Sequence, residues 1–185
     1  MIIGISGPQS SGKDTIADYL VKTHGFVKLS FASALKDIVA IIFGWSREKL
    51  EGLTPEDRQW RETIDEKWAK TLNMPELTPR YVLQHLGTEV FRNHFHPDIW
   101  TKIIENQLSF YENIVVSDCR FDNEITMLRN HGGKIIKVKR ESPVLSEGPA
   151  HISETECHVC YYDWVIKNNG TIENLYIQVN IILNY

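Results

Sequence analysis

The sequence predicts an α/β fold, in which helices flank a parallel sheet of five strands in three layers. Two observations indicate this fold. Short apolar segments alternate with longer helical ones along the 185 residues, and the first apolar segment leads directly into a glycine-rich turn that opens a helix. Strands separated by helices pair in parallel through right-handed crossovers, so ligands are expected at the carboxyl ends of the strands.

Each strand is predicted where an apolar segment is bounded by turn or polar residues. The predicted strands are Ile2–Ser6, Phe26–Phe31, Asn113–Asp118, Lys134–Lys139 and Trp164–Lys167. The predicted helices are Gly12–Thr23, Ala34–Phe43, Pro55–Lys70, Pro79–Phe91, Ile99–Ser109, Asp122–Asn130 and Thr171–Ile182. Pro55 and Pro79 fall in first helical turns, where proline is tolerated. The segment at about 32–111 contains only helices and loops, so it is the expected insert for a second substrate.

Composition and charge bound the possible functions. An apolar content of 42% fits one globular domain over residues 1–185. The net charge of −4 and pI near 6.0 argue against a nucleic-acid polymer as partner and favour a small anionic substrate. We expect a cytoplasmic protein without a membrane span, since no apolar run approaches about 18 residues. Three cysteines are too few for a disulfide framework, and Cys157 with Cys160 is either half a zinc site or ordinary packing.

The turn from Gly7 to Lys13 fits the pattern G-x-x-x-x-G-K of phosphate-binding loops. Its two glycines allow backbone N–H groups to converge on phosphate oxygens at a helix N-terminus, where the helix dipole favours negative charge. Lys13 would reach the outer phosphates. A turn that only caps a helix is the alternative, but the preceding strand and following helix favour a P-loop NTPase fold that binds ATP. The predicted ATP-binding residues of the loop are Gly7, Ser10, Ser11, Gly12, Lys13, Asp14 and Thr15.

Magnesium is expected beside this loop. Asp14 stands where the motif usually carries a Ser or Thr that binds the ion, and Thr15 follows one position later. Asp118, at the end of the third strand, is a second acidic residue at the same edge of the sheet. Asp14, Thr15 and Asp118 are therefore the predicted magnesium ligands, directly or through water. Arg120, two residues further on, could cover phosphate charge.

A second cluster of polar residues lies on the helix predicted from Pro79. Steps of four residues keep its members on a slowly drifting helix face. A glycine in mid-helix costs about 1 kcal/mol relative to alanine, which indicates a close approach by a ligand or by another helix. The arginines could equally form a solvated face, but the phosphate loop favours a second phosphate ligand. The cluster comprises Arg80, Gln84, Gly87, Thr88 and Arg92.

These residues resemble the deoxynucleoside monophosphate kinases of phages and large viruses, with related bacterial sequences. The resemblance runs through most of the chain in ordered blocks. The blocks are Gly12–Thr15 (G-K-D-T), Leu29–Lys36, Leu83–Glu89 with Arg92, Pro97–Trp100, Ser117–Glu124, His151–Glu154 and Asn168–Leu175.

The resemblance implies that the loop holds ATP and that the helical insert binds the monophosphate. It implies substrate contacts by Lys36, Arg80, Gln84, Gly87, Thr88, Arg92, Trp100, Asp118, Arg120 and Glu124. Asn168 and Asn169 would lie beside the adenine, although a plain turn after a strand is the alternative. Arg140 would begin a short lid at about 141–152. His151 with Glu154 would belong to this lid, and the alternative is that His151 is a surface histidine that caps a helix.

The function predicted from these features is ATP-dependent phosphorylation of a deoxynucleoside or ribonucleoside monophosphate to the diphosphate, which supplies DNA precursors. Lys13, Arg120 and Arg140 are the expected catalytic cations, together with Mg²⁺. A kinase of another small metabolite, such as dephospho-coenzyme A or phosphomevalonate, is the alternative. A nucleotide-dependent switch or ATPase module is a more distant one. The expected location is the cytoplasm, or the host cytoplasm for a viral protein, and the sequence leaves a homodimer open.

Overall fold

A computed structural model describes residues 1–8, 10–141 and 161–184. Within them, five strands form one parallel sheet in the spatial order β2–β3–β1–β4–β5. The strands are β1 (Ile2–Ser6), β2 (Val27–Leu29), β3 (Ile114–Cys119), β4 (Lys134–Lys139) and β5 (Trp164–Lys167). The predicted α/β fold with a five-stranded parallel sheet is therefore confirmed, and the phosphate-binding loop follows the central strand.

The chain forms two compact units, Met1–Phe31 with Thr101–Tyr185, and Ala32–Trp100. The α-helices are α1 (Lys13–His24), α2 (Ser33–Phe43), α3 (Arg47–Glu51), α4 (Pro55–Glu62), α5 (Glu66–Leu72), α6 (Pro79–Gln84), α7 (Ile99–Glu105), α8 (Asp122–Asn130) and α9 (Ile172–Leu183). A π-helix spans His85–Phe95, and a short 3-10 helix spans Leu108–Phe110. None of the described helices is both long enough and apolar enough to pass through a membrane.

The sheet of the first unit is covered on both faces. Ile3 and Ile5 of β1 join one buried cluster with α1 and α9, which contribute residues such as Leu20 and Val179. Gly4 lies between the two isoleucines and therefore faces the opposite side, since strand side chains alternate. A Cβ at Gly4 would come within 2.8 Å of Leu128 on α8. The three predicted layers follow from this alternation.

The strand β3 contains a β-bulge next to the phosphate-binding loop. Gly4 pairs with Val116, but Ser6, two residues further along β1, pairs with Cys119, three residues further along β3. One extra residue is therefore accommodated in β3 over Ser117 and Asp118. Bulges of this kind re-aim side chains and are common beside active sites.

In the second unit, one predicted helix is wrong in its extent and one short helix was not predicted. The helix predicted over Pro55–Lys70 divides into α4 and α5, because Asp65 caps a new helix by accepting the N–H of Trp68 (2.9 Å) and also accepts the Trp45 indole N–H (2.7 Å). The short helix α3 was not predicted, although Ser46 caps it in the usual way by accepting the Lys49 N–H.

The helix predicted over Pro79–Phe91 continues to Phe95 and changes character on the way. It is α-helical only to Gln84 and then becomes the wider π-helix. Gly87 lies in the first turn of the π-helix, where an added Cβ would be 2.7 Å from Cδ2 of Leu35. The mid-helix glycine is thus explained by close helix packing within this unit, one of the two explanations that the sequence offered.

Candidate active site

The loop after β1 adopts the backbone geometry that the two glycines predict. Gly7 and Gly12 have φ angles of 153° and 104°, in the region that side chains disfavour. An added Cβ would lie 2.4 Å from the Val138 carbonyl oxygen at Gly7, and 2.4 Å from the Asn168 amide nitrogen at Gly12. Ser10 also has a left-handed φ of 59°. The turn is therefore a tightly fitted cradle and not a loose connection.

Lys13 is held inside this cradle at the start of α1. Only 9% of the residue is exposed, and its ammonium donates to the Pro8 carbonyl oxygen at 2.6 Å. Burial, followed by the nearby charge of Arg120, lowers the pKa of Lys13 from 10.5 to about 8. Such a lysine is a poorly compensated cation, which an anionic phosphate would stabilise.

Asp14, in the first turn of α1, is held by side chains from two strands. Its Oδ1 atom accepts a hydrogen bond from the Ser117 hydroxyl (3.0 Å) and lies 3.0 Å from Nζ of Lys28. Partial burial raises the pKa of the Asp14 carboxyl, but Lys28 and Ser117 lower it further, so the net pKa is depressed. Thr15, the other predicted ligand on this helix, is half-buried.

Asp118 at the end of β3 and Arg120 just after it lie close enough to Lys13 to interact with its charge. Asp118 accepts the Ser30 hydroxyl (2.8 Å) and the Phe31 N–H (3.1 Å), so it fastens the end of β2. The side chain of Arg120 is exposed. The charge of Arg120 lowers the pKa of Lys13, and the charge of Asp118 raises it. Lys13, Asp14, Asp118 and Arg120 are thus brought together at the carboxyl edge of the sheet.

Glu124 lies at the start of α8 and is buried. It is 2% exposed, and its Oε2 accepts the N–H groups of Arg120 (2.8 Å) and Phe121 (3.1 Å). This carboxylate oxygen therefore stabilises the turn that presents Arg120. A contact between Glu124 and substrate stays a prediction.

The residues after β4 and β5 lie against the loop. Arg140 is exposed, and its NH1 lies 3.5 Å from the Ser10 carbonyl oxygen. The amide of Asn168 donates to the Ser11 carbonyl oxygen at 2.8 Å, while Asn169 accepts the Glu141 N–H at 2.9 Å. The predicted lid beyond residue 141, with His151, Glu154, Cys157 and Cys160, lies outside the described residues.

Replacing Asn168 by alanine tests how much this amide supports the loop. Losing its hydrogen bond to the Ser11 carbonyl should reduce the free energy of unfolding by about 1 kcal/mol. We also expect a several-fold rise in the KM for ATP, because the loop is less well organised. Thermal unfolding and steady-state kinetics provide the two measurements. Asn106→Ala, an exposed position on the surface, is the control, and equal effects of both variants would contradict a specific role for Asn168.

In the second unit, two predicted substrate cations form ion pairs. Nζ of Lys36 on α2 is 2.7 Å from Glu51, and NH1 of Arg80 on α6 is 3.0 Å from Glu62. Glu51 also pairs with Arg47 at 2.7 Å. Lys36 and Arg80 are therefore oriented by carboxylates, and an incoming phosphate would compete with these partners. Gln84 is half-buried near the end of α6.

The remaining predicted residues of this unit are mostly buried around the π-helix. Trp100 is 4% exposed, donates its indole N–H to the Gly87 carbonyl oxygen (2.9 Å) and meets Phe91 edge-on. Arg92 is buried and donates to the Pro97 carbonyl oxygen (3.2 Å), and Thr88 is also buried. The geometry assigns Trp100 a packing contact, and its predicted contact with substrate stays a prediction.

Three residues of the phosphate site were missed in the sequence. Lys28 and Ser117 hold Asp14, and Lys137 is only 2% exposed, with its ammonium 5.1 Å from the centre of the Tyr162 ring. The charge of Lys137 also lowers the pKa of Lys13. A lysine inside an apolar strand of a sheet covered on both faces could have been noticed. Nothing in the sequence indicated which carboxylate Lys28 would meet.

The described residues fit a bound triphosphate with magnesium. Ser11 Oγ is buried without a hydrogen-bond partner among them, and it lies in the cradle of the loop. No three His, Cys, Asp or Glu side chains of the described part group into a metal site by themselves. Magnesium is commonly held by one or two carboxylates together with substrate phosphates, a role for which Asp14 and Asp118 are available.

Comparisons with known proteins show which family the chain belongs to. A family model described as deoxynucleotide monophosphate kinase matches residues 54–179. The chain is 32% identical to "Putative deoxynucleotide monophosphate kinase" of Acanthamoeba polyphaga mimivirus, over 97% of this chain and 94% of the relative. It is 24% identical to the deoxynucleotide monophosphate kinase of Enterobacteria phage T4, over 96% of each chain.

Among solved structures, the dephospho-CoA kinase from Campylobacter jejuni is similar with a TM-score of 0.48 and 15% identity, over 99% of this chain and 95% of that one. The family model spans more than half of this chain, and the mimivirus relative aligns with nearly all of it. The chain therefore belongs to the deoxynucleotide monophosphate kinase family.

Proposed function

We propose that the protein transfers the γ-phosphoryl group of ATP to a deoxynucleoside monophosphate and releases the two diphosphates. The observation that carries the proposal is the phosphate loop, in which Lys13 is buried with a lowered pKa and with Arg120 close enough to influence its charge. The names of the mimivirus and phage relatives support a monophosphate as acceptor. Such a reaction supplies DNA precursors in the cytoplasm, or in the host cytoplasm for a viral protein.

Phosphoryl transfer needs positioning and charge neutralisation more than covalent help. Lys13 would contact the outer phosphate oxygens from within the loop, and Arg120 and Arg140 would add cationic stabilisation. Asp14 and Asp118 would hold Mg²⁺, which would supply further neutralisation of the phosphate charge. The acceptor phosphate is already an anionic nucleophile, so no histidine is assigned to proton transfer.

The acceptor monophosphate is assigned to the second unit, through the cations Lys36 and Arg80. Lys36 and Arg80 are held by Glu51 and Glu62, and these ion pairs keep the cations ordered before substrate arrives. The planar guanidinium of Arg80 suits a phosphate group because it can donate two parallel hydrogen bonds.

An acceptor panel tests the function directly. A coupled assay of ADP release is run with each deoxynucleoside and ribonucleoside monophosphate, and with dephospho-coenzyme A and phosphomevalonate. We expect at least one deoxynucleoside monophosphate to raise the rate well above basal ATP hydrolysis. If no nucleoside monophosphate does so, the proposal fails. Turnover with dephospho-coenzyme A or phosphomevalonate alone would favour a kinase of another metabolite.

A further inference from the structure

The phosphate site contains an unusual ion pair between Asp14 and Lys28. Lys28 projects from β2 and places its ammonium 3.0 Å from Oδ1 of Asp14 and 3.1 Å from Oδ1 of Asp18. The two aspartates are four residues apart and therefore neighbours on one face of α1. The Ser117 hydroxyl donates to the same oxygen of Asp14. Oδ2 of Asp14 makes no hydrogen bond with any residue that the structure describes.

The charge at this position is a physical problem for a phosphate loop. The residue after the loop lysine is usually Ser or Thr, which is neutral. Asp14 instead puts a full negative charge one residue from Lys13, where a triphosphate must bind. The Asp14 side chain is 71% exposed, but like charges a few ångström apart still repel each other, since this distance is well within the roughly 10 Å over which salt screens charges. Asp14 therefore weakens nucleotide binding unless another cation compensates it.

We propose that Lys28 is a positioning residue of this site, whose ammonium neutralises Asp14 and fixes its carboxylate so that the loop accepts a triphosphate. The inference rests on the proposed function only in taking a nucleoside triphosphate as the ligand. Lys28 contacts both aspartates at hydrogen-bond distance, and the Ser117 hydroxyl donates to the oxygen of Asp14 that Lys28 contacts.

The alternative is an ordinary surface ion pair that only attaches α1 to the sheet, and such pairs contribute little. The two hypotheses predict different nucleotide affinities when the charges of Lys28 and Asp14 are removed singly and together. A structural pair affects folding stability, whereas a compensating cation affects the binding of anions. The relevant ligand is metal-free nucleotide, because added magnesium would also neutralise Asp14.

The test is a double-mutant cycle on the full chain, read by equilibrium binding of a fluorescent ATP analogue in EDTA. Lys28→Gln leaves Asp14 uncompensated and should weaken binding by roughly tenfold or more. Asp14→Ser restores the usual neutral residue and should strengthen binding by several-fold to about tenfold. Asp14→Ser/Lys28→Gln should return to within about threefold of the wild type. Lys134→Gln removes another lysine with an aspartate partner, Asp163 at 3.4 Å, and should leave binding unchanged.

Three results would overturn the proposal. They are wild-type affinity in Lys28→Gln, a double variant as weak as Lys28→Gln alone, and an Asp14→Ser variant that binds no more tightly than wild type. The last result is independent of whether Lys28→Gln folds. The acceptor panel judges the kinase function separately: an intact binding cycle with no acceptor-stimulated turnover would refute the function and leave the role of Lys28 standing.

Discussion

Replacing Lys13 by methionine is expected to reduce kcat/KM by roughly 10³-fold or more, since one cation aimed at the transferred phosphoryl group is removed from a water-poor site. Methionine keeps the unbranched stem, and only 9% of Lys13 is exposed, so the variant should fold. The control is Lys22→Met, which removes an exposed lysine from the last turn of the same helix. Activity of the Lys13 variant above about a tenth of wild type would contradict the assigned role.

The lowered pKa of Lys13 gives the same residue a distinctive pH dependence. The unfolded chain keeps this proton up to about pH 10.5, whereas the folded, ligand-free protein loses it near pH 8. Between these values the unfolded state binds more protons, so the contribution of Lys13 to folding stability rises with pH. Nucleotide affinity should change in the opposite direction and fall above about pH 8, because phosphate binds the ammonium form. Chemical unfolding and nucleotide titrations across this range should show both effects as differences between the wild type and Lys13→Met, since other groups, such as the buried Cys119 thiol with its raised pKa, contribute equally in both proteins.

The second large effect is expected at Arg120, where substitution by methionine should lower kcat by roughly 10²- to 10³-fold. The backbone N–H of residue 120 would still donate to Glu124, so the turn should survive the loss of the side chain. Lysine at this position should recover only part of the rate, because it keeps the charge but lacks the planar fork of the guanidinium.

Arg120 also has a second readout that activity alone does not give. Its charge lowers the pKa of Lys13, so Arg120→Met should raise that pKa. The decline of nucleotide affinity at alkaline pH should then move to a higher pH than in the wild type. If the Arg120→Met variant had a normal kcat, or lost nucleotide affinity at the same pH as the wild type, Arg120 would not act on the phosphates.

The fold was largely predictable because, in the first unit, the apolar segments of the sequence coincide with the strands of the sheet. The bounds of β1, β4, β5 and α8 match their predicted ranges, since each apolar segment is short and ends in turn residues. The second unit was harder. The interruption between α4 and α5 depends on Asp65 capping one helix while also binding Trp45, a contact that sequence spacing does not reveal.

The site was predictable in its loop and less so in its surroundings. The conformation of residues 7 to 15 is determined locally, because two glycines and the helix that follows them form the phosphate-binding loop. The ion pair between Asp14 and Lys28 joins two elements, and no local pattern could have matched these partners. The packing of Trp100 could not be foreseen either, since its indole N–H has the Gly87 carbonyl oxygen as a partner, and its contact with substrate stays a prediction.

The β-bulge in β3 has a consequence for how the phosphate site opens. Over four consecutive residues, Ser117 bonds to α1, Asp118 to the end of β2, and the Arg120 N–H to Glu124 of α8. The first turn of α1, the segment after β2 and the start of α8 are thus fastened to the end of β3 and the residue that follows it. Local unfolding of such a stretch would release all three together, as one cooperative unit. Amide hydrogen exchange at the three segments should therefore share one opening free energy, and a bound nucleotide would slow exchange in all of them at once.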